Sequence, residues 1–317
     1  MKKDQEILRL VEISRLYYEK ELTQAQIGKQ LNISRPAVSK LLSDARTRGI
    51  VKIEIRSPLD NDENLLDDLK IQFGLRGGLI VPSASKDPNL VRRLIVTQAA
   101  AYLDKLMPSV KNLGIGWGKT IGEMIEEYMP QFRTEITAQN ICPVIGNAPN
   151  AIKWLQTNEL TRELSEKTGF DPVFLNAPAF PSSLQDKQLF MNTVEYQNVS
   201  ALWSQLDTVI LGVGTYPTIP DQATAVRFGD KLKTEKAVGV IATYFFNRSG
   251  TIIESPDDVV IRIPLENLKV AKKVIVITGN PQKAAALHGA LLTGLVTHLI
   301  TDETTAVELL RIHSELP

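Results

Sequence analysis

Apolar residues at Ile7, Leu8, Val11 and Leu16, continuing into Tyr17 and Tyr18, recur at the interval of an amphipathic helix, so the spacing predicts a helix over 4–19. A second helix is expected from Gln24 to Leu31, with Ile27 and Leu31 on one face and Thr23 as its cap. The Asn32-Ile33 link then leads to another cap, Ser34. The third helix, Arg35 to about Arg48, buries Val38, Leu41 and Leu42 and stops at Gly49. It admits Pro36 in its first turn, where no intrahelical amide bond is lost. From Val51 to Arg56 the period falls to two, as in a half-buried strand. The opening segment therefore reads as three short helices followed by a wing strand.

Between Pro58 and Phe73 the chain turns acidic, with Leu66, Leu69 and Phe73 at helical spacing. Such a connecting helix either covers the edge of the next domain or pairs with its counterpart in a second subunit. Beyond residue 79 short apolar runs alternate with helical stretches. The predicted strands are Leu79–Val81, Leu113–Gly116, Val209–Val213, Val274–Ile277 and Leu299–Ile300, and the helices include Gly118–Tyr128, Gln282–Leu292 and Thr304–Ile312. Continuous apolar strands separated by helices predict an α/β fold with a parallel sheet covered on both faces. The expected divisions are a small helical head at 1–56, a linker helix at 57–75, and a larger body at 76–317.

Composition narrows the picture. The 317 residues are 43% hydrophobic and 23% charged, which excludes disordered and collagenous classes. No run approaches the roughly 18 apolar residues of a membrane span, and the charged start lacks the pattern of a signal peptide, so a cytoplasmic protein without membrane partners is expected. One cysteine, Cys142, and three scattered histidines give no basis for a disulfide scaffold or a metal centre. Neither a metal nor a cofactor is expected. The zero net charge hides an asymmetry: the first 56 residues hold 12 Lys+Arg against 7 Asp+Glu, or +5, leaving 24 against 29, or −5, for the rest. A basic module on an acidic body suits binding to a polyanion.

The helical head explains how that binding would work. A helix fits the major groove, its N-terminal residues reaching base edges while the preceding helix meets the backbone. With Ser34 at the cap, the base-side candidates are Arg35, Pro36, Ser39 and Lys40; Thr23 and Gln24 are placed to meet phosphate.

In the body, the loops after the strands carry the chemistry, because ligands of parallel sheets sit at the carboxyl ends of the strands. Gly114-Ile115-Gly116-Trp117-Gly118-Lys119-Thr120 places glycines, a lysine and a hydroxyl at the opening of a helix, where an anion is favoured. Gly116, Gly118, Lys119 and Thr120 are therefore candidate ligand contacts. The loop superficially resembles a Walker A motif, but Leu113 stands where that motif needs glycine, so nucleotide hydrolysis is not expected. Gly214 and Thr215 in a second loop and Lys283 in a third follow the same logic. Lys283 at the first turn of a helix would oppose the dipole, and it is the preferred contact to an anion or sugar hydroxyl.

The segment Leu22-Thr-Gln-Ala-Gln-Ile-Gly-Lys-Gln-Leu-Asn-Ile-Ser-Arg-Pro-Ala-Val-Ser-Lys-Leu-Leu42, with the three glycine loops and Asn280-Pro-Gln-Lys283 following in order, resembles the SorC family (SorC/DeoR type) of sugar-responsive bacterial regulators. Val144-Ile-Gly-Asn147 and Ser200–Ile210 are most similar to the sorbose-operon regulators. The resemblance implies a winged helix-turn-helix head and a Rossmann-like effector domain of the glucosamine-6-phosphate deaminase and ribose-5-phosphate isomerase type. It also implies homo-oligomers, dimers or tetramers, that bind operator DNA under control of a sugar or sugar phosphate. Gly146, Asn147, Asp221, Thr224 and Arg227 match the family's pocket positions. Two departures stand out. Ile145 occupies the position of a Schiff-base lysine found in some members, so covalent capture of an aldehyde is not expected; Val240 replaces an acidic residue that can accept a bond from a sugar hydroxyl. The expected function is a DNA-binding regulator of a carbohydrate or polyol operon, not an enzyme. The alternatives are an enzyme of the isomerase or deaminase fold with an accessory DNA-binding domain, and a constitutive DNA-binding protein whose body only oligomerises.

Overall fold

The computed structural model describes residues 2–51, 63–83, 85, 87–130, 139–149, 151–217, 227–255 and 257–315. The chain divides into two compact units, Met1–Ser57 and Pro58–Pro317.

The first unit consists, among the described residues, of α1 (Lys2–Tyr18), α2 (Gln24–Leu31) and α3 (Arg35–Thr47). Thr23 opens α2 with a reciprocal cap: the Gln26 amide donates to its hydroxyl, and its own amide donates to the Gln26 side-chain oxygen at 2.9 Å. Asn32 then adopts a left-handed φ of 52°, which ends α2 and turns the chain. Ser34 accepts from the Ala37 amide and so opens α3. Ile13, Ile27, Val38 and Leu42 form the small core. A Cβ on Gly28 would lie 2.7 Å from the Ile33 carbonyl oxygen, so only glycine lets α2 approach the turn this closely. The expected wing strand, beyond Val51, lies outside the described residues.

The second unit runs α4 (Glu63–Phe73), β1 (Gly77–Val81), α5 (Pro88–Leu106), β2 (Asn112–Ile115), α6 (Lys119–Glu127), β3 (Asn140–Pro143), α7 (Thr157–Thr168), β4 (Asp171–Pro172), α8 (Leu184–Met191), α9 (Val194–Trp203), β5 (Thr208–Leu211) and β6 (Val213–Thr215). It continues through α10 (Lys231–Thr234), β7 (Ala237–Ile241), β8 (Tyr244–Asn247), β9 (Ile252–Ile253), α11 (Leu265–Val270), β10 (Lys273–Ile277), α12 (Ala284–Leu292), β11 (His298–Asp302) and α13 (Glu303–Ser314). Among these, a parallel sheet has the order β1-β11-β10-β5-β2-β3-β4, and an antiparallel sheet the order β6-β7-β8-β9. Alternate residues of one strand enter opposite cores: Val274 and Val276 face the layer containing α4, α9, α12 and α13, while Ile275 and Ile277 face that of α5, α6 and α7. Burial on both faces is why these strands read as unbroken apolar runs.

Three features differ from the sequence expectations. The predicted strand Val209–Val213 breaks at Gly212, so that Thr208–Leu211 stays in the parallel sheet and Val213–Thr215 begins the antiparallel one. The antiparallel sheet itself was not anticipated; it packs on α12 through small residues, a Cβ on Gly239 being only 2.9 Å from that of Ala286. The helix expected over Gln282–Leu292 starts with a 3-10 turn at Pro281–Lys283 and becomes α-helical at Ala284. As for the connecting helix, α4 packs along the edge strand β1, with Leu69 fully buried and Phe73 against His288 and His313 at 5.5 and 4.7 Å. Edge covering is thus its role within this chain.

Candidate functional site

The strand order places a switch point between β5 and β2: from β2 the chain builds outward through β3 and β4, from β5 in the other direction through β10 and β11. Loops that diverge at such a point leave a crevice at the carboxyl ends of the strands. There a cavity of about 220 Å³ opens, far above the roughly 10–15 Å³ that one water requires. Its walls come from the loop after β2, from β6 after β5, from the end of β10, and from the β7–β8 hairpin.

Seven predicted contacts meet in this lining: Gly116, Gly118, Lys119, Thr120, Gly214, Thr215 and Lys283. Gly118 takes a φ of 142°, a conformation closed to most side chains, and starts α6 without a side-chain cap. The first-turn amides of α6, which have no intrahelical partners, and the positive end of its dipole therefore border the cavity.

The two lysines differ. Lys119 pairs with Glu123 at 3.8 Å and lies 5.9 Å from the Trp154 ring. Lys283 forms neither an ion pair nor a side-chain hydrogen bond among the described residues, and burial pushes its ammonium below the ordinary lysine range, with the positive charge of Arg92 adding to the effect. Because Lys283 lies in the 3-10 turn and not in the first α-helical turn, a half-buried ammonium without a counter-charge among the described residues, not opposition to a dipole, is what makes it unusual. An anionic ligand would supply the missing counter-charge.

The remaining predicted residues are not brought into the described lining. Gly146 packs against the Pro178–Ala179 backbone, which a Cβ would meet at 2.6 Å. Asn147 is occupied structurally: its Oδ1 accepts from the Thr157 hydroxyl and the Asn158 amide at the start of α7, each at 3.2 Å. Arg227 stands outside the lining, and Asp221 and Thr224 lie outside the described residues.

Sequence reasoning passed over Thr278 and Thr243 as contacts. Thr278, at the end of β10, lines the cavity with only 2% exposure, and its buried hydroxyl has no partner among the described residues. The signal available was a lone hydroxyl residue closing an apolar strand. Ile145 and Val240, noted as departures from the family pattern, both line the cavity. Both add apolar surface to its wall.

In the head, Thr23 opens α2 and Gln24 is half-buried, while Ser34, Arg35, Pro36, Ser39 and Lys40 are exposed along the start of α3. Arg46, one turn beyond Leu42, is exposed as well. Pro36, Lys40, Ser43 and Thr47 are exposed on the side of α3 opposite Val38 and Leu42.

Both units of the chain resemble known proteins. The family described as "Putative sugar-binding domain" matches residues 57–311, and "Sigma-70, region 4" matches residues 3–48. The chain is 27% identical over 319 residues to the sorbitol operon regulator of Klebsiella pneumoniae, covering 98% of this chain and 100% of that protein. It is 26% identical over 303 residues to the deoxyribonucleoside regulator of Bacillus subtilis (strain 168), covering 93% and 95%. The crystal structure of the full-length Klebsiella pneumoniae sorbitol operon regulator aligns with a TM-score of 0.72 at 26% identity, over 96% of this chain and 98% of that one.

Proposed function

The chain belongs to the SorC-type family of sugar-binding-domain regulators, and on that premise we propose that the cavity at the β2–β5 switch point is its effector site. The protein is a DNA-binding transcriptional regulator whose operator affinity is set by a sugar or sugar phosphate. A half-buried lysine lining the cavity without a counter-charge among the described residues, beside an uncapped helix N-terminus and an unpartnered buried hydroxyl, is the observation that carries the reading. Those groups suit a phosphate or carboxylate, and the threonines, glycine backbone and apolar walls suit a compact polyol. The polyol phosphate class follows from this pairing and from the relative that is named for a sorbitol operon.

The site is read as binding without catalysis, because its described lining combines two lysines with hydroxyl and apolar residues and offers no carboxylate or imidazole to act as a general base. The body is assigned to the isomerase and deaminase type of Rossmann-like fold, and the protein to the cytoplasm as a homo-oligomer. No helix among the described residues is long and apolar enough to cross a membrane. On DNA, Arg35, Pro36, Ser39 and Lys40 face bases, and Thr23, Gln24 and Ser34 meet the backbone. Effector binding changes the relative stability of two arrangements and so shifts operator affinity.

Thermal unfolding with sorbitol, sorbitol 6-phosphate and inorganic phosphate tests the site. A ligand that binds the native state raises the melting temperature. Sorbitol 6-phosphate is expected to raise it most, and Lys283→Ala to weaken that response by about ten- to a hundredfold in concentration, the range for a lost charge-assisted hydrogen bond. An unchanged response in Lys283→Ala would remove the lysine from the site; no response to any polyol or sugar phosphate would remove the effector reading.

A further inference from the structure

The hairpin joining β7 to β8 turns in two residues, Ala242 and Thr243, and both hold left-handed φ values, 45° and 63°. Asparagine and glycine suit such a turn; alanine is penalised there, and β-branched threonine more so. Both residues are buried in the wall of the effector cavity. A conformation this unfavourable persists only where neighbours impose it.

Arg262 is that neighbour. Its Nη1 donates to the Thr243 carbonyl oxygen at 3.4 Å and to the Thr243 hydroxyl at 3.3 Å, while that hydroxyl donates to the Ala242 carbonyl. The guanidinium is fixed in turn. It lies 3.7 Å from the Tyr244 ring centre, Nη2 pairs with Asp258 at 2.9 Å, and the side chain is 9% exposed. Tyr244 is anchored through its hydroxyl, which donates to the Ile263 carbonyl at 2.8 Å. The backbone of Arg262 forms a bridge with Ile145, another part of the cavity wall. One residue, itself outside the lining, thus ties two separate walls together.

We propose that Arg262 is the positioning residue of the effector cavity: it holds the Ala242–Thr243 turn in its strained form, so that effector affinity depends on a side chain that never touches the effector. The inference rests on the reading of this cavity as the effector site. Preorganisation is the mechanism, since a wall that is already ordered loses less entropy when the effector binds.

The test compares the parent with Arg262→Met, which keeps apolar bulk and removes the donors, Arg262→Lys, which keeps the charge without the fork, and Arg262→Met combined with Ala242→Gly. Glycine tolerates the left-handed turn without a brace. Hydrogen exchange in the ligand-free protein is expected to rise about tenfold over residues 241–246 in Arg262→Met, with residues 113–121 unchanged. Sorbitol 6-phosphate binding should weaken by about tenfold, and adding Ala242→Gly, which relieves one of the two strained positions, should restore both readouts in part. Arg262→Lys should fall between parent and Met, and it carries the comparison if Arg262→Met does not fold. Unchanged exchange at the turn, uniform acceleration throughout the body, or no rescue by Ala242→Gly would each overturn the proposal. If the parent itself responds to none of the polyols and sugar phosphates, the effector reading of the cavity fails, and the ligand-free exchange still decides what Arg262 does.

Discussion

Among the described residues the head is held by a core of Ile13, Ile27, Val38 and Leu42, whereas the body buries a separate core on each face of its parallel sheet. The head compensates locally, through a reciprocal cap at Thr23, a serine cap at Ser34 and a glycine that lets one helix touch the next turn. In the body, long-range burial fixes loops that arrive at one cavity from positions as far apart as Gly116 and Lys283. Overpacking the head's closest contact should therefore remove its shape, while small changes at the cavity should alter binding and leave the fold intact.

The sharpest break of that comparison is Gly28→Val. Its Cβ would enter the space of the Ile33 carbonyl, and overpacking against backbone costs about 3 kcal/mol or more in so small a core. The variant should lose operator binding while the body's melting transition and its response to sorbitol 6-phosphate remain. Retained operator binding would show that the head tolerates what its packing forbids.

Next in size is a pH effect confined to the body. Burial, reinforced by Lys273 and Arg76, pushes His298 down to about 4 from an ordinary 6.5. The unfolded chain then binds more protons between those values, so stability is full above about pH 6.5 and falls as the pH drops toward 4, by an amount on the order of 2–3 kcal/mol. His288, lowered by burial and by His313, acts in the same direction. Chemical denaturation of His298→Gln across this window should show a shallower slope; a slope equal to the parent's would mean that the imidazole is not kept neutral by its surroundings.

The contrast also explains what could be read from the chain before the fold was seen. The limits of α2 and α3 follow from Thr23, Ser34 and Pro36, because caps and the ring of proline act within one turn. Five of the parallel strands were legible because residues such as Val274–Ile277 are buried on both faces; the short strands Asn140–Pro143 and Asp171–Pro172 were not. The antiparallel sheet was not, since Ala237–Ile241 and Tyr244–Asn247 owe their pairing to α12 and to a turn whose residues disfavour it. At the cavity, glycine loops and Lys283 announced themselves by type. Thr278 and Arg262 did not, because only tertiary packing shows that one hydroxyl lacks a partner and that one arginine meets one wall through its guanidinium and another through its backbone. Asn147 shows the same limit: only the fold reveals that its side-chain oxygen serves the start of α7.

The smallest expected effect lies at the helix caps. Ser34→Ala removes one acceptor for the Ala37 amide and should cost about 1 kcal/mol of head stability, with a modest loss of operator affinity at elevated temperature. Melting of the head followed separately from that of the body would detect it; no change would indicate that Pro36 alone sets the start of α3.

The central claim is that α3 lies in a groove of duplex DNA and that the body's ligand decides how firmly it stays there. Nuclease footprinting of the full chain over the DNA upstream of its own gene, with and without sorbitol 6-phosphate and beside the Arg35→Ala/Lys40→Ala double variant, addresses it directly. The account predicts a protected stretch whose half-saturation changes with the sugar phosphate and which the double variant no longer protects. Absence of protection with and without the sugar phosphate, or equal protection by the double variant, would contradict it.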